Sequence, residues 1–147
     1  IVLFIAKMAS GAVATFEASR LSTGCKNANR LEIHGEKGAI RFNFERMNEL
    51  DWYDATLPAE LQGWNTINVT DGNANHPYAA SWWPTAHILG YEHSFINQAA
   101  DMLTVIGGGE PVVPLADFAD AYEVQKVLSA VVESDKQRSP VPLDQIQ

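Results

Sequence analysis

The side chains best suited to bind a small molecule are the aromatic residues of one loop and of the helix start that follows it. Tyr78, Trp82, Trp83 and Tyr91 lie close together along the chain, and residues 71–90 are rich in Gly, Pro, Asn and Asp. Aromatic rings stack on the C–H faces of sugars and polyols, so this cluster could form a platform for such a ligand. The same rings could instead pack as a core beneath the loop, and the sequence leaves both interpretations open.

The histidines do not have the spacing of a metal site. His87 and His93 are six residues apart with Glu92 between them. Zinc-binding histidines on a helix stand four residues apart, because that spacing puts both rings on one face. His34 and His76 are equally isolated along the chain. The sequence therefore predicts no bound metal.

Other catalytic motifs are also missing. Gly107, Gly108 and Gly109 follow a predicted helix instead of joining a strand to one, which indicates a helix stop and not a dinucleotide-binding turn. Cys25 has Lys26 beside it but no neighbouring His or Asp, so we interpret it as a spectator thiol. No serine stands in the G-x-S-x-G context of a hydrolase nucleophile. The motifs thus supply no catalytic group and no cofactor site.

Composition excludes several classes of partner. The 147 residues carry a formal charge of −8, and the ten Lys and Arg residues form no run, so we expect no nucleic-acid partner. No apolar stretch is long enough to span a membrane. With 46% hydrophobic residues the chain can bury a core as one domain. The single cysteine excludes an internal disulfide and favours a reducing compartment, so we predict a cytoplasmic protein.

The elements that must position these residues begin with strands. Residues 30–44 alternate apolar and polar side chains on either side of Glu36 and Lys37, the period of a hairpin with one buried face. Gly35 and Gly38 bracket this turn, and we expect both to adopt positive φ. Similar patterns predict strands at residues 1–8, 12–20, 50–53 and 65–70. About six strands in mostly meander order therefore follow from the pattern.

Two helices follow the strands. Phe95, Ala99, Met102, Leu103 and Ile106 form one stripe at helical spacing. A second stripe begins after a predicted cap at Asp117 and ends before Pro140. Residues 141–143 are predicted to return as a short strand. The result is an α+β class, an open-faced and largely antiparallel sheet of about six strands with helices packed on one face.

Four segments in this order resemble a known family. They are SGAVATFEASR at residues 10–20, LEIHGEKGAIRF at 31–42, GYEHSFINQAADML at 90–103, and FADAYEVQKVLSAVVES at 118–134 closing on VPL at 141–143. Together they are similar to the C-terminal domain of the glucose-fructose oxidoreductase/inositol dehydrogenase/MocA (Gfo/Idh/MocA) family, nearly from end to end. In that family a separate Rossmann domain binds NAD or NADP, and the C-terminal domain shapes the substrate pocket and often builds the oligomer.

The resemblance implies roles for this chain. Residues 1–147 would form a single C-terminal domain, with the Rossmann domain, the cofactor and all catalytic residues outside it. The parent would be an NAD(P)-dependent sugar or polyol oxidoreductase, and the chain a homo-oligomer through the open face of its sheet. Tyr91 maps onto a substrate-contacting tyrosine at the helix start. We expect it to lie off the stripe of Phe95 and Ala99, with Trp83 and His87 in the preceding loop.

The loop between the second and third strands is the other contact region that the resemblance implies. It contributes Arg20 and Lys26, and it lacks the tyrosine that relatives can place there. An alternative remains in a different class, a free-standing binding or oligomerisation module without catalysis. The apolar run at residues 1–6 is typical of a buried strand inside a sheet. We therefore favour the domain of a longer oxidoreductase over the free-standing module.

Overall fold

A computed structural model describes residues 1–71 and 76–146. Residues 72–75, part of the predicted aromatic loop, and Gln147 lie outside the described residues. The strands are β1 (Val2–Lys7), β2 (Val13–Ala18), β3 (Arg30–Gly35), β4 (Gly38–Asn43), β5 (Glu49–Asp54) and β6 (Trp64–Asn68), and the helices are α1 (Tyr91–Ile106) and α2 (Phe118–Gln137). The α+β class is confirmed. Hydrogen bonding divides the six strands into a two-stranded and a four-stranded antiparallel sheet.

The chain forms two compact units. The terminal unit comprises Ile1–Gly24 and Ala116–Gln147, and the central unit comprises Cys25–Leu115. In the part of the chain that the structure describes, no helix combines the length and the apolar character needed to cross a membrane. Among the described residues, the buried apolar side chains are few and mostly small, namely Ala39, Ala79, Leu89 and Ala130. Each unit therefore presents much apolar surface of its own.

The terminal unit pairs β1 with β2 through a turn at Gly11, whose φ is 91°. Phe4 lies opposite Phe16, and their rings stack with centroids 4.6 Å apart. Asp117 caps α2 as predicted, because its Oδ1 accepts the backbone N–H of Ala119 at 2.7 Å and that of Asp120 at 3.0 Å. The side chain at Asp117 thus sets where α2 begins.

The predicted strand at residues 141–143 is wrong. The chain forms a short 3₁₀ turn at Leu143–Gln145 instead. Pro140 and Pro142 have no backbone N–H, so this segment could not donate the hydrogen bonds of a sheet ladder. Val141 and Leu143, which flank Pro142, mimic a strand in composition alone.

The central unit is built on the meander β3-β4-β5-β6, with Ile33, Ile40, Trp52 and Asn65 in one cross-strand row. Because side chains alternate across a strand, one face is apolar and the other polar. The apolar face carries Leu31, Ile33, Ile40, Phe42, Leu50, Trp52 and Ile67. On the polar face, Arg41 pairs with Asp51 at 2.9 Å, and its guanidinium lies over Trp64. The period predicted from the sequence is therefore correct.

The prediction that the two turn glycines adopt positive φ is wrong. Neither Gly35 nor Gly38 has positive φ. Gly38 instead lies where β4 meets β5, and a Cβ added there would be 2.4 Å from the carbonyl oxygen of Tyr53. A close approach of two backbones, and not a left-handed turn, requires this glycine.

Candidate functional site

Tyr91 is the first residue of α1, and 56% of its surface is exposed. Its ring meets the rings of Phe44 and Phe95 edge to face, with centroid distances of 5.6 and 4.9 Å. The expectation that Tyr91 lies off the stripe of Phe95 is therefore wrong, because residues four apart on a helix share a face. Among residues 1–71 and 76–146, none hydrogen bonds to the Tyr91 hydroxyl. The two phenylalanines hold the ring while its polar end stays available.

The loop before α1 presents two more predicted site residues. Trp83 is 50% exposed, and His87 is exposed. The backbone N–H of His87 donates to the Pro84 carbonyl at 3.2 Å, closing a turn in which Ala86 has a φ of 71°. The Nδ1 atom of His87 lies 3.1 Å from the same carbonyl. Because a carbonyl only accepts, this contact is a hydrogen bond in the tautomer whose Nδ1 carries the ring hydrogen.

The four aromatic residues do not form one cluster. Tyr78 and Trp82 turn toward α1, where Tyr78 donates to Asp101 and the Nε1–H of Trp82 donates to Asn97 Oδ1 at 2.8 Å. Trp83, by contrast, has no ring contact within the described residues. Tyr78 and Trp82 therefore pack against α1, whereas Trp83 and Tyr91 are exposed, and their role as a sugar platform stays a prediction.

Asp101 joins three segments of the central unit. It is 2% exposed, and it accepts hydrogen bonds from the Tyr78 hydroxyl, from Val112 N–H at 3.1 Å and from Val113 N–H at 3.5 Å. The Tyr78 bond, followed by the Val112 amide, lowers the pKa of the Asp101 carboxyl. Burial, reinforced by Asp101, raises the pKa of Tyr78 to about 12. Asp101 is therefore a buried carboxylate that orders the fold, with no access to a substrate.

Sequence reasoning missed Asp101 and Asn97. The available signal was their position, because His93, Asn97 and Asp101 recur every four residues and so define a polar stripe on α1. We interpreted only the apolar stripe of that helix. A polar stripe is ordinarily the solvent side, so its burial here required knowledge of the loop that covers it.

Lys26 and Tyr91 are linked through the 3₁₀ turn at Phe44–Arg46. The backbone N–H of Asn27, the residue after Lys26, donates to Glu45 Oε1 at 2.8 Å. Phe44 in the same turn contacts the Tyr91 ring. The turn therefore anchors both the segment of Lys26 and the start of α1.

The remaining predictions have simpler outcomes. Arg20 is exposed and belongs to the terminal unit, and Cys25 is an exposed free thiol. No group of three His, Cys, Asp or Glu side chains that could hold a metal ion occurs among the described residues.

An open depression lies at the hairpin end of the central sheet, lined by Ile33, Lys37 and Trp52 among others. None of the predicted site residues lines it.

Residues 3–143 match a family described as "Oxidoreductase family, C-terminal alpha/beta domain". Levoglucosan dehydrogenase of Pseudarthrobacter phenanthrenivorans is 38% identical over 146 residues, which are 99% of this chain and 36% of that protein. Among solved structures, an oxidoreductase domain protein from Kribbella flavida has 47% identity and a TM-score of 0.84, with coverage of 93% of this chain and 34% of that one.

A levoglucosan dehydrogenase in complex with NADH and levoglucosan is also similar. It has 36% identity and a TM-score of 0.81, with coverage of 92% of this chain and 36% of that one. The chain thus spans about a third of the length of the relatives it matches.

Proposed function

The chain belongs to the Gfo/Idh/MocA oxidoreductase family, as its C-terminal α/β domain, and from that membership we propose that it is the substrate-binding and oligomerisation part of an NAD(P)-dependent sugar or polyol oxidoreductase. The parent enzyme would move a hydride between the nicotinamide and a carbon that bears a hydroxyl or carbonyl group. Levoglucosan, an anhydrosugar bound by a relative of similar structure, is the first substrate to test. The exposed cysteine is compatible with a reducing cytoplasmic location, which we also propose.

Tyr91 is the observation that carries this proposal. Its hydroxyl is exposed at the start of α1, while Phe44 and Phe95 hold its ring. A phenol held in this way can donate to or accept from a sugar hydroxyl without first losing much side-chain freedom. Trp83 offers an exposed ring face nearby in sequence, suited to the C–H side of the same sugar. We assign Lys26 and His87, which belong to the central unit, to the same wall as polar contributors. A role for Arg20 in substrate binding stays a separate prediction.

In the full-length protein, Tyr91→Phe is expected to lower kcat/KM for the sugar about tenfold. That factor corresponds to about 1.4 kcal/mol, the contribution of one hydrogen bond to a neutral partner. The KM for NAD should not change. Steady-state kinetics with levoglucosan, glucose and an inositol would measure both values.

The matched control is Tyr122→Phe, which removes the hydroxyl of another exposed tyrosine, on α2. It should leave all kinetic constants unaltered. If Tyr91→Phe changes stability alone, Tyr91 only packs and the site lies elsewhere. If the full-length protein reduces neither NAD nor NADP with any sugar or polyol, the proposed activity itself fails.

We propose that the open face of the β1–β2 sheet builds the oligomer. The cross-strand register puts Leu3 and Ile5 on the same side as Val13, and these three side chains are 72%, 72% and 68% exposed. An apolar strand face left this open favours burial against a second copy related by a two-fold axis. Thr15 and Glu17 lie on the same face.

Sedimentation of the full-length protein should show a dimer or larger. Changing Ile5 and Val13 together to threonine keeps strand propensity but removes apolar area, so the double variant should dissociate at low micromolar concentration. Phe118→Ser, which removes a ring that is 95% exposed on α2, should leave the oligomer intact. A wild-type monomer at high micromolar concentration would contradict this proposal.

We place cofactor binding outside this chain. Among residues 1–71 and 76–146, no Gly-rich turn joins a strand to a helix N-terminus, the arrangement that holds a pyrophosphate. Calorimetric titration of the chain with NAD and NADP should therefore give no saturable heat. Saturable binding at micromolar concentration would contradict this assignment.

A further inference from the structure

The least exposed stripe of α1 is polar, with His93 and Asn97 half-buried and Asp101 buried, which reverses the usual arrangement of a helix in a globular unit. His93, Asn97 and Asp101 stand four residues apart and face the preceding loop. The apolar residues of the same helix are at least half exposed at Phe95, Ile96, Met102, Leu103 and Ile106. Hydrogen bonds to this polar stripe therefore help to hold the loop to α1.

Each polar residue of the stripe holds one point of the loop. His93 accepts the Gly90 N–H at 3.0 Å through Nδ1, and its ring meets the Trp82 ring edge to face at 4.4 Å. Asn97 accepts the Trp82 indole N–H at 2.8 Å. Asp101 accepts the Tyr78 hydroxyl. The described part of the loop is thus held at Tyr78, at Trp82 and at its junction with the helix at Gly90.

Trp82 receives two of these contacts, and both constrain its orientation. The indole N–H is a single donor whose direction is set by the ring plane, so Asn97 Oδ1 fixes the rotation of the ring. The edge-to-face contact with His93 limits the tilt of the same ring. Trp83 is the next residue and has no ring contact of its own within the described residues. Its position therefore depends on how Trp82 is held.

We propose that Asn97 is a positioning residue for substrate specificity, acting through Trp82 to place the exposed ring of Trp83 against the C–H face of a cyclic sugar. This inference rests on the proposed function, and it adds a residue that does not itself touch the substrate. A ring sugar presents a flat face to an indole, whereas an acyclic polyol does not. Asn97 thus favours cyclic over acyclic substrates.

The test is a double-mutant cycle in the full-length protein with the anhydrosugar and with an acyclic polyol. Asn97→Ala should raise the KM for the anhydrosugar about fivefold with little change in kcat, and should raise the KM for the polyol less. In a Trp83→Ala background, Asn97→Ala should have no further effect on KM, because Asn97 acts on the substrate only through the placement of Trp83.

Asn97→Asp keeps the acceptor oxygen and should restore the wild-type KM within about twofold. Gln98→Ala, an exposed neighbour, is the control.

A second measurement does not depend on turnover. Hydrogen exchange should show faster exchange at the amides of Ser81, Trp82 and His87 in Asn97→Ala, and wild-type exchange in Asn97→Asp. Unchanged exchange at these amides overturns the proposal, as do additive effects of Asn97→Ala and Trp83→Ala on KM. If Trp83→Ala alone leaves KM unaltered, the positioning role fails as well, while the Tyr91→Phe result decides the proposed function separately.

Discussion

Gly38→Ala is expected to lower the free energy of unfolding by about 2–3 kcal/mol, the upper range for forcing an extra methyl group into a packed site. The added Cβ would lie 2.4 Å from the carbonyl oxygen of Tyr53, and a backbone oxygen in a sheet cannot move without weakening the β4–β5 ladder. Gly38 and Asp54 form the end of that ladder, so the loss should be felt throughout the central unit. Urea unfolding followed by tryptophan fluorescence would measure it.

Gly35→Ala is the matched control in the same hairpin. The nearest atom to its added Cβ is the Gly38 carbonyl oxygen at 3.6 Å, an ordinary van der Waals contact. With φ outside the left-handed region at both positions, the two substitutions differ only in the space available. We expect Gly35→Ala to change stability by less than about 0.5 kcal/mol. Equal effects at the two positions would contradict a requirement for close approach at Gly38.

Local sequence patterns predicted the secondary structure well where the interactions that fix an element lie within a few residues of one another. The alternation of Leu31 and Ile33 with polar neighbours located the central hairpin, because one face of the sheet is apolar. Asp117 located the start of α2, because a cap acts on amides two and three residues away. Gly38 was located correctly but for the wrong reason, since the Tyr53 oxygen that requires it comes from another strand.

The candidate site was less predictable, because contacts between residues distant in sequence decide which of its side chains pack and which are exposed. Trp82 and Trp83 are adjacent and chemically alike, yet only Trp82 meets Asn97, fifteen residues further on. Composition cannot tell the packed ring from the exposed one. The resemblance to a known family indicated Tyr91 as a site residue, but it did not indicate the Phe44 ring that packs against Tyr91. What the sequence lacks is the pairing of the loop with α1.

The contact between the loop and α1 predicts a second large effect on stability. Tyr78→Phe removes the hydroxyl that donates a hydrogen bond to the buried Asp101 carboxylate. The free energy of unfolding should fall by about 2 kcal/mol at neutral pH, since hydrogen bonds to a charged group contribute about 1.5–3 kcal/mol. Tyr53→Phe is the matched comparison, because the Tyr53 hydroxyl donates to the neutral Gln62 Oε1 at 2.8 Å. It should cost about 1 kcal/mol.

The two substitutions should differ in their dependence on pH. The Tyr78 bond is the main cause of the lowered pKa of Asp101, so its stabilisation is fully present above the ordinary carboxyl value of 3.8 and is lost as pH falls through the lower folded-state pKa. Without the Tyr78 hydroxyl, the pKa of Asp101 is lowered less in the variant, which therefore takes up its proton at a higher pH than the wild type does. The stability difference between wild type and Tyr78→Phe should therefore narrow on acidification toward pH 3.8 and below, whereas that for Tyr53→Phe should stay constant. Denaturation at pH 7, 4 and 3 would test this, and a difference for Tyr78→Phe that widens toward acid would show that Asp101 is not the group the hydroxyl stabilises.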